Sequence, residues 1–490
     1  MLVKLKMANS IDGVVIPFVI LLLCNSTTGY NILLATMGGT KSHTVPFVAL
    51  GSSLKARGHN VTLLSAFPGP AANNGLQEFV PPIFECSGRN MSRLIVIEPI
   101  IIIPLYTQHK TKHDNGQTIL NTQVALYSGS ISRQGNPSPW SVTPYFGKSL
   151  TQDMNFLQRL LNAACLATLR LMHWIMINGY LQPVLRKYLG DQLPDVRDLT
   201  TEIPLTLQNS HYSVADSVPY LANVVNVACL HCKPATNLGP DLESFLQRGF
   251  IFVSMGSSVR ASDMPEALRQ IFVAVFATLP CNVVWKWEGM KIKDLPSNVR
   301  TAAWWPQQEL LGHPKLRAFV SHGGLLSLHE AAYHAAPTLV LPVFCDHDGN
   351  AAQAEKLGYA LVMDLSRISI GSFRDGILKV AAVHNNSYRT AAKKRSSLLR
   401  DLPINPRKLA TWWVEHVAKY KGAEHLKSSA RIKCNNHSMK LICFRYMNVV
   451  HYYSIDVAIF YVIALILLVC GLKKLCWRTI FKQVVKKKID

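Results

Sequence analysis

At 490 residues, 49% apolar and 16% charged, the chain is too long for one ordinary hydrophobic core and too apolar for a disordered one. Its net charge of +22 suits an anionic partner, either a nucleotide or a membrane surface. Basic residues do not interleave with aromatics in stripes, and no common nucleic-acid module pattern occurs, so nucleic acid is disfavoured as the partner.

Lys4 and Lys6 precede an apolar run over 14–24, and small or polar residues follow up to Gly29. Basic, then apolar, then small is the order of a secretory leader, with cleavage between Cys24 and Gly29. Residues 30–36 form a strand candidate that runs into Met37-Gly38-Gly39-Thr40-Lys41-Ser42-His43. A helical pattern follows over 44–57, with Val45, Val48, Ala49 and Leu54 on one face and Gly58 closing it. With a second strand at 60–65, this is a βαβ unit.

The same grammar restarts at Phe250. An apolar strand over 250–255 meets the polar turn Gly256-Ser257-Ser258, an amphipathic helix covers 264–279, and strands follow at 283–287, 318–321 and 338–341. Two such halves predict two facing doubly wound domains, with ligands gathering at the carboxyl ends of strands, after Met255, Ser321 and Val343. The segment 233–240, with two prolines and a glycine, reads as the linker. Among eleven cysteines, the close pair Cys229 and Cys232 lacks a second pair at zinc-ligand spacing. A disulfide or two is compatible with that pattern, and no metal site is expected.

The densest chemistry lies between Trp304 and Asn350. Trp304 offers an indole that can stack on a base, and Gln307 an amide that can read its edge. Taken alone, a Trp-Trp-Pro run serves core or turn packing more often. His322-Gly323-Gly324 follows a strand and opens the helix carrying Ser327; glycines admit a phosphate to backbone N–H groups, and the helix N-terminus favours its charge. Glu330, one turn beyond Ser327, can accept from ribose hydroxyls. Asp346, His347 and Asn350 follow the next strand, placed for sugar hydroxyls.

The run 304–350 resembles the signature of the UDP-glycosyltransferases, the family that includes the UDP-glucuronosyltransferases, and its H-G-G-L-L-S-x-x-E-A wording is most similar to arthropod members. The resemblance reaches from about Tyr30 to the tail. It implies a GT-B fold, two facing Rossmann-like domains in an α/β chain, with metal-free inverting transfer of a hexose (glucose or glucuronic acid) from a UDP-sugar to the hydroxyl of a small lipophilic acceptor, as in detoxification. It assigns Trp304 and Gln307 to uracil, His322 and Ser327 to the pyrophosphate, with Gly323 and Gly324 in that turn. It gives Glu330 to the ribose, and Asp346 with His347 to the transferred sugar, Asn350 beside them. Gly256 and Ser257 border the diphosphate, and His43 is the general base that takes the acceptor's proton. No cofactor is implied; the UDP-sugar is a co-substrate. The family's aspartate partner for that base, expected between residues 84 and 128, has no matching strand-then-Asp here, and Asp114 is a poor substitute. A catalytically impaired UDP-sugar-binding membrane protein is therefore the alternative. The pair that meets the sugar is Asp346-His347 where the family usually has Asp-Gln.

At the far end, residues 457–472 are apolar, and extension back to Tyr452 gives a stretch long enough for about 30 Å of helix. Seven lysines and arginines follow it against Asp490, which places the tail in the cytosol. Lys487-Lys488-Ile489-Asp490 resembles a dilysine retrieval signal. The expected organisation is a leader at 1–28, an acceptor-binding domain at 29–235, a UDP-sugar-binding domain at 236–448, a transmembrane helix at 449–472 and a basic tail at 473–490. The expected address is the endoplasmic reticulum membrane, single-pass type I, with both domains lumenal; a homo-oligomer is left open. Sequons stand at Asn60, Asn90, Asn385 and Asn436; Asn60, at the start of a core strand, is the one expected to stay unmodified.

Overall fold

The computed structural model describes residues 25–26, 29–36, 44–65, 75–79, 121–123, 132, 134–191, 203–293, 295–384 and 387–428, and in the C-terminal segment 459, 462–463 and 465–474. His43, Asp114, the leader up to Cys24, the tail after residue 474, and the sequons at Asn90, Asn385 and Asn436 lie outside the described residues, while Asn25–Ser26 at the end of the expected leader forms a strand.

The N-terminal half begins with β1 (Asn25–Ser26), β2 (Gly29–Thr36), β3 (Asn60–Ser65) and β4 (Gln77–Phe79), joined in one sheet in that order. β2, β3 and β4 are parallel, and the helix Val45–Ala56 is the crossover between β2 and β3, as the βαβ pattern predicts. Asn60 is exposed at the start of β3, so burial does not shield this sequon as its position in a core strand had implied. A second parallel sheet holds β5 (Asn121–Gln123), β6 (Thr206–Gln208) and β7 (Val224–Asn226).

The C-terminal half is one parallel sheet of six strands: β8 (Phe250–Ser254), β9 (Asn282–Lys286), β10 (Val299–Ala302), β11 (Leu316–Ser321), β12 (Thr338–Val340) and β13 (Ala360–Val362). Their order across the sheet is β10-β9-β8-β11-β12-β13. Each strand after β8 is added on one side until β11 starts the other, so the chain reverses direction between β8 and β11. That reversal leaves a crevice beyond their carboxyl ends. β8 and β9 are buried along their whole length because helices cover both faces, which is why they read as unbroken apolar runs and not as alternation. On one face Phe272 and Phe276 of the helix Glu266–Ala277 pack with Phe373 and Trp285. Each such ring contributes roughly 1.5–3 kcal/mol on burial. On the other, Leu246, Leu310, Leu311 and Ala331 close over Phe250, Phe252 and Phe319.

The helix Pro406–Lys419 belongs by sequence to the second half but packs into the first. Its Ala410, Val414 and Val417 join a core with Leu34, Leu54, Leu63 and Leu207. Glu415 on that helix meets Arg57 at 2.6 Å and His59 at 2.9 Å. The change of half at residues 235/236 is thus not the boundary of packing.

Two apolar features bear on membranes. At the described positions between 459 and 474 the chain is helical, and Leu465, Ile466, Leu467 and Leu468 are all exposed, so apolar side chains point outward all round. Separately, residues 156–187 form a continuous helical stretch, interrupted by a π-helical turn at Met176–Leu181, that is long and apolar enough to cross a membrane by length and composition. Only 22% of its most apolar window is buried.

Candidate active site

The loops after β8 and β11 are built alike. Ser254 and Ser321 stand opposite each other as the last residues of neighbouring parallel strands. Two residues on, each chain turns at a glycine whose N–H donates back to that serine: Gly256 to Ser254 Oγ and Gly323 to Ser321 Oγ, both at 3.3 Å. Both glycines have positive φ, +78° and +90°, which other residues adopt only with strain. His322 fills the gap between the two turns. Its Nε2 lies against the α-carbons of Gly256 and Gly324, where a Cβ on either would collide with the ring. Ser257 follows in the first turn. Gly324 caps the helix Leu325–Tyr333 with no side-chain cap bond, leaving that helix's first backbone N–H groups for another acceptor.

Burial holds the His322 imidazole well below its ordinary pKa, and the positive charges of His347 and Lys286 nearby push it further down. It is therefore neutral at pH 7 and carries one N–H; Nδ1 has no hydrogen-bond partner. The His347 ring stands edge-on to it, centroids 4.6 Å apart. His347 begins the helix His347–Lys356 that follows the loop expected for sugar contacts, and at 4% exposure its ring could meet a ligand only along an edge. Asn350 ties that loop to the His-Gly-Gly turn, donating to Asp346 Oδ2 at 2.7 Å and to Gly323 O at 3.1 Å.

The Trp-Trp pair divides its labour. Trp305 packs inward and donates from Nε1 to Trp285 O at 3.1 Å, while Trp304 is 58% exposed. Gln307 opens the short helix Gln307–Leu311 and donates to Glu330 Oε2 at 2.7 Å and to Ser327 Oγ at 3.2 Å. The amide expected at the base and the carboxylate expected at the ribose are thus bonded to each other.

Three residues of this site escaped the sequence pattern. Lys286, at the end of β9, is buried; it donates to Gly256 O at 2.9 Å, pairs with Glu288 and stands 5.6 Å from the Trp304 ring centroid. A cation inside the apolar run V-V-W-K-W was its available signal. Gln308 donates to Glu330 Oε1 at 3.3 Å, and His231 reaches the same oxygen at 3.2 Å. No signal in the sequence joins His231 to Glu330, because they lie far apart along the chain.

Two further histidines are held neutral at pH 7, His329 buried and His334 half-buried. Burial, with the nearby charges of His231 and His211, lowers His329 to about 3; burial, with Arg400, lowers His334 to about 4. The unfolded chain binds a proton at each near pH 6.5 while the folded protein does not, so their contribution is complete above that value and is lost as pH falls toward the folded pKa. Between pH 7 and 5 each is expected to remove on the order of 2 kcal/mol of stability. The apparent melting temperature should fall over that range, and His329→Leu should flatten the slope. An unchanged melting temperature at pH 5 would sink the expectation.

The residues 119–489 match the family described as UDP-glucoronosyl and UDP-glucosyl transferase. UDP-glucosyltransferase 2 of Dactylopius coccus is 32% identical over 64% of this chain and 60% of its own length. UDP-glucuronosyltransferase 2C1 of Oryctolagus cuniculus is 32% identical over 70% of this chain and 65% of its own. The chain thus matches just under two thirds of the length of each of these two relatives. Spinosyn forosaminyltransferase SpnP aligns in three dimensions over 83% of this chain and all of its own, with TM-score 0.51 at 16% identity, a likeness of fold alone. Parallel α/β sheets in that arrangement are the GT-B glycosyltransferase fold, and the chain belongs to the UDP-glucuronosyl and UDP-glucosyl transferase family.

Proposed function

We propose that this protein is a membrane-bound transferase that moves a hexose from a UDP-sugar to the hydroxyl of a small lipophilic acceptor, with inversion at the anomeric carbon. The observation that carries this is the pair of twin glycine turns at the reversal point of the six-stranded sheet, with a neutral His322 held between them and a helix N-terminus behind. Backbone N–H groups and one imidazole N–H suit a diphosphate leaving group, and Lys286 adds a cation beside them. Trp304 supplies an exposed ring for uracil, Glu330 a carboxylate for the ribose, and Asp346 with Asn350 acceptors and donors for the sugar.

In the proposed reaction, His43 takes the acceptor's proton as the acceptor oxygen bonds to the anomeric carbon. The bond from that carbon to the β-phosphate oxygen breaks, and UDP leaves with the electron pair. Transfer needs no metal in this reading, since protein groups meet the developing charge. Glucose is the first candidate sugar and glucuronic acid the second. The C-terminal apolar helix and the Lys487-Lys488 end support residence in the endoplasmic reticulum membrane with the domains lumenal, as suits detoxification of lipophilic compounds.

The test is UDP release by the full chain in membranes, with UDP-glucose, UDP-glucuronic acid or UDP-galactose and a panel of phenols and aliphatic alcohols. Acceptor-dependent release with UDP-glucose above the others is expected. Tight UDP binding without release from any pair would favour the alternative of an impaired UDP-sugar binder, which the lack of a strand-then-Asp between residues 84 and 128 motivates.

A further inference from the structure

Just before the linker, Cys229, His231 and Cys232 are buried together. The two sulfurs are bonded to each other, which leaves no thiolate for a metal, and His231 turns its ring to the donor site. Its Nε2 is 3.2 Å from Glu330 Oε1, and its backbone oxygen accepts from Gln308 Nε2 at 3.3 Å. The loop is held from two further directions. Lys233 N donates to Gln308 Oε1 at 2.9 Å, and Arg407 Nε donates to Leu230 O at 3.1 Å from the helix that packs into the N-terminal core.

Glu330 therefore has unequal oxygens. Oε1 is met by the buried His231 ring and accepts from the buried Gln308 amide; Oε2 accepts from Gln307, on a side chain that is partly exposed. A carboxylate that must accept from hydroxyls in a fixed direction has to be held against rotation, and a rigid ring in a disulfide-closed loop does this better than solvent. The ring sits 99 residues before Glu330 in sequence, in the segment that joins the two halves.

We propose that His231 is a positioning residue of the donor site, holding Glu330 Oε1 so that Oε2 is presented to the ribose diol of the nucleotide. This rests on the assignment of Glu330 to the ribose. It predicts an effect on ribose recognition that a merely structural residue would not have.

The experiment compares UDP with 2′-deoxyuridine diphosphate by calorimetry on the solubilised full chain. The wild type should prefer UDP by about tenfold or more, as a polar site does for the hydroxyl it is built to bond. His231→Ala should lower that preference to within about threefold by weakening UDP while leaving the deoxy ligand nearly unchanged. His231→Gln, which keeps a donor, should restore most of it, and adding Glu330→Ala to His231→Ala should cost no more than the remaining preference of about threefold. In turnover assays KM for the UDP-sugar should rise about tenfold with kcat within about threefold, since the contact is shared by ground and transition states. Should alanine lower the yield of folded protein, His231→Leu fills the same space without a donor and serves the same comparison. Full preference retained in the variant, or equal loss for both ligands, overturns the proposal. A wild type that does not distinguish the two ligands instead overturns the ribose assignment of Glu330.

Discussion

His43→Ala is expected to lower kcat by about 10²- to 10⁴-fold, the range a positioned general base supplies, while UDP affinity stays within about twofold. The two effects separate because the proposed donor residues all lie in the C-terminal half, whereas His43 precedes the helix Val45–Ala56 of the N-terminal half in sequence. A hydroxyl acceptor is a poor nucleophile until its proton is taken. His322 is buried between its glycines. The measurement is single-turnover transfer at saturating UDP-glucose, paired with UDP titration of both proteins. Undiminished transfer by the variant removes His43 as the base. A wild type as slow as the variant, with UDP bound equally by both, identifies the impaired binder instead.

The reach of sequence in this chain follows from where each contact is made. β3 falls where alternation and turn residues place it, and β2, β8, β9, β11 and β12 within a residue or two of their patterns. The His-Gly-Gly turn, Ser327 and Glu330 were legible because one strand–turn–helix carries them all, so spacing alone implies proximity. Contacts between distant segments were not. Nothing in W-W-P says which indole packs and which is exposed; the register of β9 beside β10 and the seat of Trp305 under Trp285 decide that. The helix Pro406–Lys419 lies by sequence in the second half, and its Val414 and Val417 show no preference for the first half's core until the partner surface exists. His231 is the extreme case, an ordinary histidine just before the linker until the fold brings Glu330 to it.

Gly256→Ala should abolish measurable donor binding, a loss of at least about 100-fold in UDP affinity, equivalent to about 2.7 kcal/mol. Two costs coincide. Alanine at φ +78° is strained by roughly 1–2 kcal/mol, and its Cβ would fall on the His322 imidazole. The ring has nowhere to go, since Gly324 touches it on a second side and His347 stands edge-on at 4.6 Å. Overpacking of this kind adds roughly 1–3 kcal/mol, and it either displaces the imidazole from the phosphate site or unfolds the turn. A double variant separates those two outcomes. His322→Ala removes the obstructing ring, so Gly256→Ala with His322→Ala should melt higher than Gly256→Ala alone and still bind UDP no better. Recovery of stability without recovery of binding would locate the damage in the fit between the two turns. If Gly256→Ala binds UDP like the wild type, the turn after β8 does not border the diphosphate, and the site must be built from β11 and its helix alone.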